Sequence, residues 1–309
     1  MRRFGLFLYL CLFPLMTAAQ GVVWVSLTTA AEPRSFTDDL TRTVLVPSHP
    51  SRVISLAPSV TEMLFAIGLD REIVAVTSFC DYPAAVAGRP TIGYASPSLE
   101  QIVALDPDLV IAPADFLNPD LLRKLDQFKI PTLVLSARSL KDIEQHLRLF
   151  GLVFNRPSQA EGVIDAMRQR MEAARERVRR LRPVRVLYVL NTRPLITVGP
   201  GSYIHELLEQ AGGVNIAATA GTAYPRIGME TVVVGDPEVV LFPVGKTETV
   251  PVADRDAWRQ WTDITAVRTG RLRTVSSDTI NRPGPRIVEA LEELISAVHP
   301  PSDQPRPSP

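Results

Sequence analysis

The sequence predicts an α/β protein of two lobes, each a parallel sheet flanked by helices, with one long helix between them. Three observations carry that expectation. Short apolar, β-branched runs alternate with helical segments along most of the chain, as buried parallel strands and their crossover helices do. A helix, turn and strand pattern around Glu100 recurs around Glu230, 130 positions later. Between the copies, residues 158–182 are rich in Arg, Glu, Gln and Ala, with apolar positions at three- and four-residue steps. With 309 residues, 46% of them hydrophobic, the chain has material for substantial cores, and its length suits two domains. Lys+Arg and Asp+Glu both number 33, so the basic excess that nucleic acid selects is missing. Cys11 and Cys80 make no disulfide framework, and histidines at 49, 146, 205 and 299 lack the close spacing of zinc ligands, so no metal site is expected.

The chain opens with Arg2 and Arg3, an apolar run from Phe4 to Met16, and no charge until Glu32. That is the layout of a secretory signal, so residues 1–31 are expected to be a cleaved leader and the mature protein to lie outside the cytoplasm. Small residues suit cleavage after Thr17-Ala18-Ala19 or Thr29-Ala30-Ala31, and apolar character through Leu27 favours the second. An uncleaved membrane anchor is the alternative, interrupted by Pro14, Gln20 and Gly21. Lipidation of Cys11 is disfavoured by Tyr9 and Leu10 before it. The mature chain keeps Cys80 alone, which reads as a small buried apolar residue.

Residues 32–47 read as a polar lead-in, with the folded body starting near residue 45, and the first lobe as 48–156. Arg52 to Leu56 begins it as a buried strand. Ser59-Val60-Thr61-Glu62 reads as a capping box ahead of Met63, Leu64 and Ile67, with Gly68 as the stop. Ile73–Thr77, Leu109–Ala112 and Pro131–Leu135 are further strands. Val163, Met167, Met171, Ala174, Val178 and Leu181 mark one amphipathic helix over 157–182, roughly 35 Å long and stiff enough to join two lobes. The second lobe, 183–299, restarts with a strand at Arg185–Leu190 and a helix at Ser202–Gln210 stopped by Gly212-Gly213. Residues 300–309 read as a disordered proline-rich tail.

The internal repeat sets Ser98 to Val110 against Gly228 to Val240, with Glu, Val, Asp, Pro and Val coinciding. Each copy places a glutamate near a helix start and a tyrosine, Tyr94 or Tyr224, six residues earlier in a polar, Gly/Pro-bearing loop. A carboxylate in a first helical turn offsets the macrodipole, which explains either glutamate alone. Two of them in equivalent places on two lobes also suit a twofold-symmetric partner. Tyrosines usually pack in cores, yet loops between parallel strands and helices are where ligands sit.

These segments, with Cys80-Asp81-Tyr82-Pro83 and Ser277-Asp278 through Arg282 to Pro285-Arg286-Ile287, resemble the helical-backbone class of periplasmic binding proteins, and within it the cobalamin binders. The resemblance spans residues 48–298. It implies two Rossmann-like lobes, a rigid connecting helix, a ligand cleft between the lobes, and delivery of cobalamin or a related corrinoid to the permease dimer of an ABC importer; the continuous linker helix itself predicts little closure. It further implies a monomer that is not an enzyme and has no resident cofactor, the cobalt-containing corrinoid being cargo. Tyr82 stands at a corrin-contacting position, Asp278 and Arg282 at a polar pair beside the ligand, and Glu100 and Glu230 at permease-docking positions. Tyr94 and Tyr224 stand where some members carry tryptophan. The chemistry is compatible: a corrin is a broad plate with apolar faces and an amide rim, which aromatic rings can cover while donors and acceptors meet the edge. An Asp and Arg at spacing four are as readily an ion pair with each other.

Other functions remain as alternatives. An exported enzyme lacks support, because no nucleophile elbow, Walker loop, paired histidines or dinucleotide fingerprint occurs. A haem or ferric-siderophore binder keeps the architecture, with Tyr94 or Tyr224 as an iron ligand, although anionic siderophores favour a basic cleft. A membrane-anchored sensor would need residues 4–28 retained as a helix.

Overall fold

The computed structural model describes residues 32–93, 97–246 and 249–300. The expected leader, nearly all of the tail, and Tyr94 lie outside the described residues.

The first elements correct the lead-in. β1 (Arg34–Thr37) and β2 (Thr43–Val46) form an antiparallel hairpin, so folded structure starts some ten residues earlier than the composition suggests. Its polarity is used rather than solvated. Asp38 is buried and accepts from the Leu40 and Arg42 amides and from the Arg42 guanidinium, while the Asp39 carboxylate takes the Ser136 amide at 2.6 Å and His146 Nε2 at 2.7 Å.

The first sheet comprises β3 (Val53–Ser55), β4 (Ile73–Ala75), β5 (Leu109–Pro113) and β6 (Thr132–Leu135), all parallel, in the order β4-β3-β5-β6. Helices α1 (Pro58–Ala66), α2 (Leu99–Ala104), α3 (Pro119–Gln127) and α4 (Leu140–Val153) accompany it. α5 (Pro157–Glu176) leads to the second lobe, whose strands are β7 (Val184–Thr192), β8 (Leu195–Thr197), β9 (Gly213–Asn215), β10 (Val239–Val244) and β11 (Leu272–Ser276). There β9-β7-β10-β11 repeats the parallel order of the first sheet, and β8 adds an antiparallel strand to the end of β7. Its helices are α6 (Tyr203–Gln210), α7 (Met229–Gly235), α8 (Val252–Asp256), α9 (Thr265–Arg268), α10 (Ser277–Ile280) and α11 (Ile287–Val298). No helix among the described residues is long and apolar enough to cross a membrane.

Both sheets are buried on both faces, which is why their strands read as unbroken apolar runs. In β5, Leu109 and Ile111 join one core while Val110 and Ala112 join another; in β10, Val239 and Leu241 face the first core and Val240 and Phe242 a third. The first core is shared. It runs from the first sheet through α4, α5 and α11 to the second sheet, so α5 is packed along its length rather than spanning open solvent. Its helical span ends at Glu176, short of the expected 182, and turns follow it. At 20 residues it is about 30 Å long. Where α4 crosses α5 the fit is tight, because a Cβ on Gly151 would lie 2.8 Å from the Ala160 Cβ.

The expected capping box at Ser59–Glu62 does not form. α1 starts at Pro58 with Ala57 as its N-cap and no side-chain cap, because proline at the first position needs no donor partner and Glu62 is drawn elsewhere. The reciprocal box occurs instead on α4, where the Ser139 hydroxyl takes the Asp142 amide and the Asp142 carboxylate takes the Ser139 amide.

The sequence repeat is a structural one with a device of its own. Asp106 and Asp236 both turn through left-handed backbone, φ 45° and 38°, between helix and strand. Arg52 Nε donates to the Asp106 carbonyl at 2.9 Å and its amide to Asp108; Arg185 Nε donates to the Asp236 carbonyl at 2.8 Å and its amide to Glu238. An arginine at the start of the first parallel strand thus clamps the Asp-Pro-acid turn before the third parallel strand in each lobe.

Candidate functional site

A cavity of about 480 Å³ opens between the lobes. Its walls come from the carboxyl ends of the parallel strands, where doubly wound sheets place ligands. The first lobe supplies Ala57, Pro58 and Ser59 after β3, Pro113 at the end of β5 and Asp115 after it, and Ala137 after β6. From the second lobe come Leu190 on β7, Ile196 on β8, Tyr203 and Ile204 at the start of α6, Tyr224 before α7, and Ser277, Asn281 and Arg282 after β11. Most of this lining is apolar or aromatic. A larger hollow of about 650 Å³ lies by the C-terminal ends of α5 and α6, but Glu172, Arg175, Glu176, Arg179 and Glu209 line it and it adjoins the amino, not the carboxyl, ends of β7 and β9.

Behind Arg282, the one member that lines the cavity, an ion-pair network crosses the lobes. Glu62 on α1 is buried and takes the Arg286 guanidinium in a two-pronged pairing, 2.9 and 2.6 Å, across 224 positions of chain. Arg282, 4% exposed, donates to Asp81 and to Asp278 at 2.7 Å each and lies 3.6 Å from Glu62. Lys246 Nζ donates to the other Asp81 oxygen at 2.8 Å, and its amide donates to Asp278. Gly245 makes that approach possible, since a Cβ there would collide with Ser277 Oγ and the Asp278 carboxyl. Burial lifts the Glu62 carboxyl above the usual range, against the pull of Arg286 and Arg282. Burial also acts to raise Asp81, but its hydrogen bonds from Lys246 and Arg282 and their positive charges leave it below that range. Three carboxylates face three cations, so the network is neutral as a whole.

The expected site residues fall into groups. Tyr224 lines the cleft and is 43% exposed; Arg282 lines it too, although its charge is already paired. Asp278 sits behind Arg282 as its ion-pair partner, the alternative that the spacing of four left open. Tyr82 stands beside the network: its ring lies 4.2 Å beneath the Arg286 guanidinium, and the residue is 44% exposed. Tyr94 lies outside the described residues. Glu100 and Glu230 are exposed in the first turns of α2 and α7. Glu100's own amide and the Ser98 hydroxyl hold its carboxyl below the usual range, so it also serves its helix start. Cys80 is buried between the Thr61 and Thr77 hydroxyls at 3.1 Å each, and burial lifts its thiol.

Glu62, Asp81, Asp115, Tyr203, Lys246 and Arg286 escaped the sequence reading as site residues. Tyr203 had a signal: it follows Gly199-Pro200-Gly201 and the N-cap Ser202, at the strand-to-helix turn that faces ligands. Glu62 was masked by its fit to the capping pattern.

The comparisons agree with this geometry. The profile of the family described as periplasmic binding protein matches residues 53–279. The vitamin B12-binding protein of Vibrio parahaemolyticus is 34% identical over 247 residues, 79% of this chain and 87% of the relative. That of Vibrio cholerae is 31% identical over 263 residues, 82% of this chain and 92% of the relative. Among solved structures, the periplasmic vitamin B12 binding protein BtuF of Vibrio cholerae aligns with a TM-score of 0.69 at 29% identity, covering 81% of this chain and 96% of that one. The periplasmic heme-binding protein RhuT from Roseiflexus sp. RS-1 aligns with a TM-score of 0.72 at 27% identity, covering 81% and 98%. A two-lobed α/β body with its cleft at the strand ends, matched over this length, makes the chain a member of the periplasmic binding protein family.

Proposed function

We propose that this protein captures cobalamin or a related corrinoid in the cleft between its lobes and delivers it to the permease dimer of an ABC importer. The observation that carries the reading is the cleft: a largely apolar cavity of about 480 Å³ with tyrosines on its wall and a neutral polar network at one end. An apolar plate with an amide rim suits those walls. The identity of 34% over 79% of the chain with a vitamin B12-binding protein supports the same ligand. Tyr224 offers exposed ring surface from the second lobe, with nearly buried Tyr203 behind the same wall, and Tyr82, with one ring face covered by Arg286, offers an aromatic edge from the first. Glu100 and Glu230, one exposed in each lobe at equivalent helix starts, are the proposed docking pair for the permease. Residues 1–31 act as the leader that sends the chain to the periplasm, where it works as a monomeric carrier. Its cobalt belongs to the cargo.

Separate calorimetric titrations of the mature protein with cyanocobalamin and haemin test the reading. One-to-one binding of cyanocobalamin, tighter than that of haemin, is the expected result. Tight haemin binding without cyanocobalamin binding would move the assignment to the haem binders, which share the fold.

A further inference from the structure

The charges on the cleft wall carry a consequence for selectivity, which rests on the reading of the cleft as the ligand site. Among the described residues that line it, the charged ones are Asp115 and Arg282. Arg282 is buried and its guanidinium already faces Asp81 and Asp278 at 2.7 Å and Glu62 at 3.6 Å. Lys246, the nearby cation of the same network, is exposed, pairs with Asp81 at 2.8 Å and does not line the cavity. An anion that sought Arg282 would have to displace a carboxylate from a buried, hydrogen-bonded arrangement, which leaves a buried charge uncompensated. Asp115 is different. It lies exposed on the turn after β5, on the first-lobe wall, and none of these cations is paired with it. Among the residues lining the cavity, the accessible charge is therefore negative.

We propose that Asp115, acting with the carboxylate-saturated Arg282, makes the cleft exclude anions, so that it selects a macrocycle with an amide rim over one with a carboxylate rim. A carboxylate brought to within several ångströms of Asp115 in a partly desolvated cavity is repelled, whereas an amide in the same place can donate to it. Asp115 is thus a specificity-determining residue: it contributes modestly to affinity for the neutral ligand and strongly to the ratio between neutral and anionic ones.

The probes are cyanocobalamin, monocarboxylic acids of it in each of which one rim propionamide is replaced by a propionate, and haemin, all titrated at neutral pH. For the unaltered protein, the weakest-bound monoacid should bind about tenfold less tightly than cyanocobalamin, the size expected for one like-charge pair at intermediate dielectric. Asp115→Asn should shrink that ratio to about threefold or less while cyanocobalamin affinity changes less than about threefold, and added salt should shrink it in the unaltered protein too. Asp115 is exposed, so the variant is expected to fold, and an unchanged melting temperature checks that. Monoacids that all bind within about twofold of cyanocobalamin, or a ratio that survives Asp115→Asn unaltered, would overturn the proposal. Haemin separates the two readings: failure of cyanocobalamin to bind rejects the corrinoid assignment, whereas haemin binding tighter than cyanocobalamin rejects anion exclusion, because haemin carries two carboxylates.

Discussion

Tyr224 and Arg286 do different work although both belong to aromatic or cationic positions around one cleft. Tyr224 holds exposed ring surface at the cavity wall, so Tyr224→Ala should weaken cyanocobalamin binding by about 1 to 3 kcal/mol, roughly 5- to 150-fold in Kd by calorimetry, and leave the melting temperature nearly unchanged. Arg286 instead neutralises a carboxylate that burial makes costly. Arg286→Met should destabilise the fold by roughly 3 kcal/mol in denaturant unfolding, the low end for breaking a buried pair because Arg282 stays 3.6 Å from Glu62. Adding Glu62→Leu to that variant should recover most of the loss, since no buried charge is then left over. A double variant as unstable as the single one would show that the two residues act separately.

Gly151 makes the same kind of argument for a pair of helices. It sits where α4 crosses α5, with a prospective Cβ 2.8 Å from that of Ala160 and 3.2 Å from the Pro157 Cα. Gly151→Val should therefore push the helices apart and cost about 1 to 3 kcal/mol in denaturant unfolding, and an unchanged midpoint would refute the tight crossing. That glycine was invisible as a contact in the sequence, whereas the strands around it were plain. β3, β5 and β10 are buried on both faces, and two-sided burial writes itself as a continuous apolar run. The repeat was equally legible, because Asp-Pro turns and β-branched strands are local signals. What escaped was set by partners far away in the chain. Glu62 satisfies the local pattern of a cap, yet pairs with Arg286; the hairpin of β1 and β2 looks like a polar linker because Asp38 and Asp39 spend their charge on Arg42, His146 and the first lobe's backbone.

At the scale of the whole molecule, two lobes share one core and an electrostatic tie. Asp81 joins the lobes through Lys246 and Arg282, and its depressed pKa means that the tie contributes stability above the unfolded aspartate value, near 3.9, and loses it as pH falls through the lower folded value. The melting-temperature difference between the unaltered protein and Asp81→Asn should thus stay constant above about pH 5 and shrink toward zero below about pH 4. A difference independent of pH would detach Asp81 from that role. Glu100→Gln with Glu230→Gln should leave ligand affinity intact and reduce permease-dependent uptake; unaltered uptake rejects the docking pair. Cys80 now becomes an asset for watching the lobes move. Sealed between Thr61 and Thr77 with its thiol raised, it is expected to resist alkylation near neutral pH. Cysteines introduced at exposed Leu152 and Val234, one in each lobe, can carry a fluorophore pair without removing it, and the distance between the dyes then reports, in single molecules, whether cargo loading changes the gap.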